Sequence, residues 1–378
     1  MFLRPALHRA LTRSTRHCPA HPKLFTTTAP TLATSPTVKL VARLRKETQC
    51  SISKAREALA AVPSTSSDHY ASALAWLEAD QAASGRKKAA KLDGRVAAEG
   101  LVHVVGVDGG KRVAMVEVNA ETDFVARSGD FVGLVDGVGA SVLFAEIAGG
   151  KGVVRQLDVE DVNAAPAWPS SRSAETIPGG ETVRETVVAA IGKLGENIRV
   201  RRAVVTRFPG EEDATATTSA TDSKEVYVAG GYAHSGGDSV IPPGFGRIAA
   251  VAVLKIANNN PQLSTETRTK LHRLAAQIAQ HVVGFSPATI APVSAPGPSD
   301  SARDPEDTET TSTALLTQPF LFGGGTVQEV LARNATELGL ATQDQLAVHD
   351  FLRWECGEGI EKNETDFAEE VKKQAGLA

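Results

Sequence analysis

A chain of 378 residues, 42% hydrophobic and 22% charged, has room for two or three domains with a real core, which excludes a peptide or a single small module. Its 40 basic and 44 acidic residues leave a net charge of −4, too near neutral for general affinity to nucleic acid or an anionic membrane. The average hides an asymmetry: nine Lys or Arg precede the first acidic residue, Glu47, so the remainder carries −13.

The opening MFLRPALHRALTRSTRH sets Leu3, Leu7 and Leu11 on one helical face and spreads Arg4, Arg9, Arg13 and Arg16 over the others. Arg-rich, Ser/Thr-rich, acid-free and amphipathic is the composition of a mitochondrial transit peptide, expected over residues 1–37, and hence of a matrix protein; a basic tail is the alternative. Residues 38–82 then predict three short helices. Val38, Val41 and Leu44 share a face of the first. Ser51 caps the second, which carries Ile52, Ala55, Leu59 and Val62, and Tyr70, Leu74 and Leu77 mark the third. A core so small suits a docking module. The cluster Arg86-Lys87-Lys88 with Lys91 predicts a solvated basic linker over residues 83–94.

From Arg95 the segment RVAAEGLVHVVG is expected to run from helix into strand. Asp108-Gly109-Gly110-Lys111 is a turn, and Val113–Val118 returns as the second strand of a hairpin. Helical periodicity follows over Phe131–Ala148 and Glu181–Leu194, then a strand over Ile198–Phe208, which closes a first subdomain at residues 95–208. A polar linker, 209–223, leads to a second subdomain, 224–378. That half repeats the order, with strands at Glu225–Tyr232 and Gly246–Ile256 and a helix at Glu266–Val283. An insert rich in Pro, Ser, Thr and Asp spans 286–313, and a helix over Val327–Leu338, a strand over His349–Glu355 and a terminal helix over 366–374 complete the chain. Two related αβ halves whose small sheets share a core make the fold α+β.

The chemistry-bearing motifs fail one by one. Gly110-Lys111 lacks the first glycine of a phosphate loop, Val105 standing there, and Arg112 occupies the hydroxyl position. Gly323-Gly324-Gly325 lacks the pattern of a dinucleotide fingerprint. HExxH, GxSxG and CxxC do not occur, and Cys18, Cys50 and Cys356 are too far apart for a metal pair. No catalytic residue, metal or cofactor is therefore expected. A lone histidine on a helix face, such as His281, is more often packed or exposed than catalytic. One stretch breaks pattern: EVNAETDFVAR, Glu117–Arg127, ends a strand and sets Phe124 beside Asp123 where a helix begins. Either Thr122 or Asp123 caps that helix while Phe124 packs as its first core residue, or Phe124 is an exposed apolar tip marking a partner surface.

These residues resemble the elongation factor Ts family, in its mitochondrial form. The resemblance runs through Val41–Thr48, Gly94–Leu101, Glu117–Arg127, Gly195-Glu196-Asn197-Ile198 with Arg201-Arg202, QIAQHVV ending at Val283, Gln318-Pro319-Phe320, and Gly357–Lys362 followed by Asp366-Phe367-Ala368. It implies a ubiquitin-associated-like helical module, a core of two α+β subdomains with small antiparallel sheets, and a C-terminal helix. It implies a non-enzymatic guanine-nucleotide exchange factor whose partner is the GTPase elongation factor Tu, with no nucleic acid, membrane or small-molecule ligand of its own. By the same resemblance, Thr122, Asp123, Phe124 and Val125 form the loop that enters the GTPase near its nucleotide and magnesium site. His281 is a contact on a core helix, and Arg45, Ile52 and Ser53 lie on the contact edge of the helical module. The chain departs from the family at Thr48-Gln49-Cys50-Ser51-Ile52, which lacks the usual glycines, at the expanded hairpin Ser235–Phe245, and at the 286–313 insert. Two other readings stand beside it: a binding module for a different protein, and a nucleotide-dependent transferase built on the Gly323 loop.

Overall fold

A computed structural model describes residues 36–48, 50–63, 68–147, 152–170, 181–208, 225–237, 240–257, 263–292, 313–340 and 345–361. Nearly all of the expected leader, the 209–223 linker, most of the 286–313 insert and the 366–374 helix lie outside them. The fold is mixed α+β, and the chain divides into two compact units, Met1–Leu77 and Glu78–Ala378.

The first unit holds α1 (Pro36–Thr48), α2 (Ile52–Ala61) and the opening turns of α3 (His69–Leu92). The Ser51 hydroxyl caps α2 by accepting from the Lys54 N–H at 3.2 Å. Leu44, Ala55, Ala58, Leu59, Ala73 and Leu77 form its core. Ile52, expected on the inner face, is 47% exposed. As the first residue of α2 it has no preceding turn for its side chain to lie on, so it projects past the helix end. Helix α3 does not stop near residue 82. It continues to Leu92, so the basic cluster Arg86–Lys91 is exposed helix surface, and Leu92 itself is buried.

The second unit begins with β1 (Glu99–Val107) and β2 (Arg112–Ala120), joined by a turn in which Asp108, Gly109 and Gly110 all take positive φ. The expected helix over Arg95–Ala98 is absent. These residues form neither helix nor strand, with Ala97 and Ala98 buried and the Arg95 carbonyl accepting from Asn197 Nδ2 at 2.7 Å. Next come α4 (Asp123–Ala126), α5 (Gly129–Phe144), β3 (Val154–Leu157), α6 (Val159–Ala164), α7 (Val183–Leu194) and β4 (Arg199–Thr206). Helix α7 starts on a Thr182/Glu185 capping box and ends on left-handed Gly195. Then follow β5 (Glu225–His234), β6 (Phe245–Gly246), β7 (Ile248–Ala257), α8 (Thr265–Phe285), a 3-10 turn (Leu315–Thr317), α9 (Val327–Glu337) and β8 (Leu346–Glu355). Among the described residues no helix is long and apolar enough to cross a membrane.

The sheets have orders β3-β4-β2-β1-β6 and β5-β7-β8. Both place a third strand against the second strand of an antiparallel hairpin, which bears out the repeated order of the two halves. Strand alternation divides the side chains among three cores. In β2, Ala114, Val116, Val118 and Ala120 face α5 and α7, while Val113 and Met115 face the other sheet. In β7, Ala250, Ala252, Leu254 and Ile256 face α8 and α9, while Ala249, Val251 and Val253 meet β1 and β2. The unit is therefore layered helix, sheet, sheet, helix, and the two sheets share the central core as expected.

Candidate functional site

Strand β2 runs buried to Ala120, after which the backbone turns sharply into α4. The turn is braced from below. Thr122 Oγ1 donates to Glu196 Oε1 at 2.6 Å, and the Thr122 N–H donates to Glu196 Oε2 at 3.0 Å. Glu121 accepts from the Asn197 N–H at 2.7 Å and pairs with Arg95 at 3.3 Å. Thr122 also caps α4, accepting from the Val125 N–H at 3.4 Å. Val125 and Ala126 pack inward against the α5/α7 core, and Asp123 pairs with Arg127 at 3.4 Å. Thus Thr122 caps, but Phe124 does not pack: it is 84% exposed, at the crest of a turn whose every neighbour is tied down. Such a side chain contributes nothing to its own fold and is available for burial elsewhere.

His281 lies on the other side of the unit, in α8, and is fully buried. Its Nδ1 accepts from the Leu321 N–H at 3.2 Å, which leaves Nε2 as the donor to Gln318 Oε1 at 2.9 Å. Burial holds its pKa below the usual histidine value against the opposing Gln318 bond, so the ring is neutral. It also stacks on Phe285 at 4.6 Å. The imidazole fixes residues 318–322, whose tip is apolar and exposed: Leu321 at 43% and Phe322 at 48%, with Phe285 at 46% beside the ring. This second apolar surface is absent from the sequence reading. The signal for it was Leu321-Phe322 standing directly before three glycines, which are poor neighbours for core residues. Arg45, Ile52 and Ser53 cluster at the junction of α1 and α2: Arg45 Nε donates to the Cys50 carbonyl at 3.4 Å, and Ser53 Oγ lies 2.9 Å from Ser51 Oγ. All three are exposed.

The structure does not build a reactive constellation around these residues. Among the described residues no three His, Cys, Asp or Glu side chains are grouped to hold a metal ion. The Gly323–Gly325 stretch is a loop closed by Arg333, whose Nη2 donates to the Gly324 carbonyl at 2.9 Å, ahead of a Thr326/Glu329 capping box.

Residues 121–297 match the family model described as Elongation factor TS. A protein named elongation factor Ts, mitochondrial, from Coprinopsis cinerea is 34% identical over 86% of this chain and 93% of its own length. The chain belongs to the elongation factor Ts family. Its similarity extends to a protein of the same name from Malassezia globosa, 30% identical over 91% of this chain and 95% of that one. It also extends to a bacterial elongation factor Ts from Symbiobacterium thermophilum, 30% identical over 90% and 98%. As a member of this family the chain is an elongation factor of protein biosynthesis, and it is mitochondrial.

Proposed function

We propose that this chain is a non-catalytic guanine-nucleotide exchange factor for the mitochondrial GTPase elongation factor Tu. The observation that carries the reading is Phe124, 84% exposed on a turn held rigid by Glu196 and Thr122. A GTPase grips GDP through its magnesium ion and phosphate loop in one arrangement of those parts. Burying a phenylalanine side chain between partner side chains releases about 1.5 to 3 kcal/mol, enough to hold the partner in a different arrangement. Affinities for nucleotide and for exchange factor are then reciprocally linked, so incoming nucleotide displaces the factor. Asp123 lies next to the wedge with a partly exposed carboxylate, Thr122 sets the angle of the turn, and Val125 anchors it. His281 acts through the 318–322 loop, presenting Leu321 and Phe322 as a second apolar contact. Arg45, Ile52 and Ser53 form the contact edge of the N-terminal helices.

Stopped-flow release of fluorescent GDP from the purified GTPase tests this reading. Phe124→Ala should bind the GTPase yet lose roughly 10- to 100-fold of its acceleration, the equivalent of the burial energy. A variant that binds and accelerates undiminished would sink the wedge. Residues 1–37 act as the import leader in the same proposal, and residues 1–45 fused to a fluorescent reporter should reach mitochondria. A reporter that stays cytosolic overturns that part.

A further inference from the structure

A surface cavity of about 250 Å³ opens between the end of α3 and the start of β4, lined by Arg95, Val96, Ala97, Arg199, Arg201 and Ile360. The cavity exists because β3 pairs only with Ala203–Thr206 of β4, leaving residues 199–202 uncovered on that edge. A bulge adds to the opening: Glu117 pairs with Arg202 and Val118 with Val200, so Arg201 has no partner residue on β2.

The three guanidinium groups are not equivalent. Arg201 is committed, donating to Glu117 Oε1 at 2.9 Å and to the Glu358 carbonyl. Arg95 is 57% exposed at its side chain and shares its charge with Glu121. Arg199 donates to the Arg95 carbonyl at 3.2 Å and makes no ion pair among the described residues. Three cations thus converge on one cavity, and among the described residues Arg199 has no acidic partner. Val96, 44% exposed, and Ile360 supply apolar walls. A planar fork of N–H donors matches the paired oxygens of a phosphate or carboxylate, and neighbouring cations repel any cationic ligand.

We propose that this cavity is a binding site for a small oxyanion, bearing a phosphoryl or carboxylate group, with Arg199 as its principal donor. No local pattern points to such a ligand, because Arg95 and Arg199 are 104 residues apart. Occupancy also bears on the Phe124 turn, since an anion on Arg95 competes with Glu121, three residues before Phe124. The site itself does not depend on the exchange reading.

The full chain, titrated with inorganic phosphate and separately with acetate by calorimetry and thermal denaturation, tests the site. Sodium chloride at matched ionic strength is the control. Saturable binding of either oxyanion beyond the chloride control is expected, and which of the two saturates separates a phosphoryl from a carboxylate ligand. Arg199→Gln should weaken it about tenfold, the loss of one charge-assisted contact, and Arg199→Lys should fall between. Arg199 is exposed, so neither variant threatens folding. The arginine Nε signals of Arg95 and Arg199 should move on titration. Equal effects of chloride and oxyanion, or Arg199→Gln binding as tightly as the parent, or stationary Nε signals during binding, each overturn the proposal.

Discussion

Glu117 sits at the crossing of the chain's most distant segments. Its carboxylate is fully buried on the inter-sheet face of β2, accepting from Arg201, from Arg202 and from the Gly357 N–H at 2.8 Å. Burial alone would raise its pKa, but the Gly357 bond and the two arginines outweigh it and hold the group below the ordinary carboxylate value of 4.5. A depressed folded pKa contributes stability that is fully present above the unfolded value and lost as pH falls through the folded one. Urea titrations of the parent should therefore weaken on the acid side of pH 4.5, and Glu117→Gln should lose that part of the slope. At neutral pH, Glu117→Gln should cost roughly 3 kcal/mol, since Arg201 loses its counter-charge and Arg202 keeps only the more exposed Glu358. A cost below about 0.5 kcal/mol would show the network to be dispensable. The same residue, after burial, helps push the neighbouring Cys356 thiol up to about 12, so this cysteine stays protonated. Phe124 is the opposite case, a residue 84% exposed, so Phe124→Ala should leave the thermal midpoint unchanged while the acceleration falls as given above.

Elements meet in this fold where side chains are small. Gly230 and Gly231 in β5 face opposite ways: a Cβ on Gly230 would lie 2.3 Å from the Ala276 nitrogen in α8, and one on Gly231 would lie 2.3 Å from Val104 in β1. These two glycines let β5 lie close to a helix on one face and a second sheet on the other. Along α3 and α7, Gly85 and Gly192 allow a similar approach, a Cβ on Gly192 coming 3.1 Å from the Gly85 Cα. At the C-terminal end of α8 the device is a histidine. Neutral His281 accepts the Leu321 N–H, and protonating Nδ1 removes that acceptor. With its folded pKa depressed by burial, the stability His281 contributes is present above pH 6.5 and lost as pH falls below it. The hydrogen-exchange protection factor of the Leu321 amide should drop below pH 6.5, after correction for the intrinsic rate. His281→Ala should remove the pH dependence and destabilise the unit by roughly 2 kcal/mol. A protection factor flat from pH 5 to 8 in the parent would contradict the assigned tautomer.

Across the whole second unit, the expanded hairpin between β5 and β7 joins the two halves. Its strand β6 belongs in sequence to the second half but pairs with β1 of the first sheet, at Val102 with Gly246 and His103 with Phe245. Phe245 is 1% exposed in the α5/α7 core and stacks on His103 at 3.8 Å, and the Gly244 carbonyl accepts from the Val104 N–H at 2.8 Å. Phe245→Ala should cost about 3 to 5 kcal/mol and, because the halves share this clasp, should lower one cooperative transition. A calorimetric scan showing two separated transitions in the parent would refute that coupling. Much of the layout is legible in the sequence, because period-2 and period-3.6 patterns report which face of each element is buried: the β1–β2 hairpin, α5, α7, β4, β5, β7, α8 and α9 all fall close to where periodicity puts them. The short elements β3, α6 and β6 escape such reading, since four residues or fewer carry no period in β3 and β6, and α6 has hardly more than one turn. Sequence by itself determined the acidic body behind a basic leader, the α+β class, and the segment Glu117–Arg127 as the place where pattern and expectation part. Only the tertiary structure decided that Thr122 caps while Phe124 stays in solvent, that His281 is buried beneath an exposed Leu321-Phe322 tip, and that three arginines converge on one cavity. Exposure and convergence are set by what the rest of the chain covers, and residues about a hundred positions apart leave no local trace of meeting.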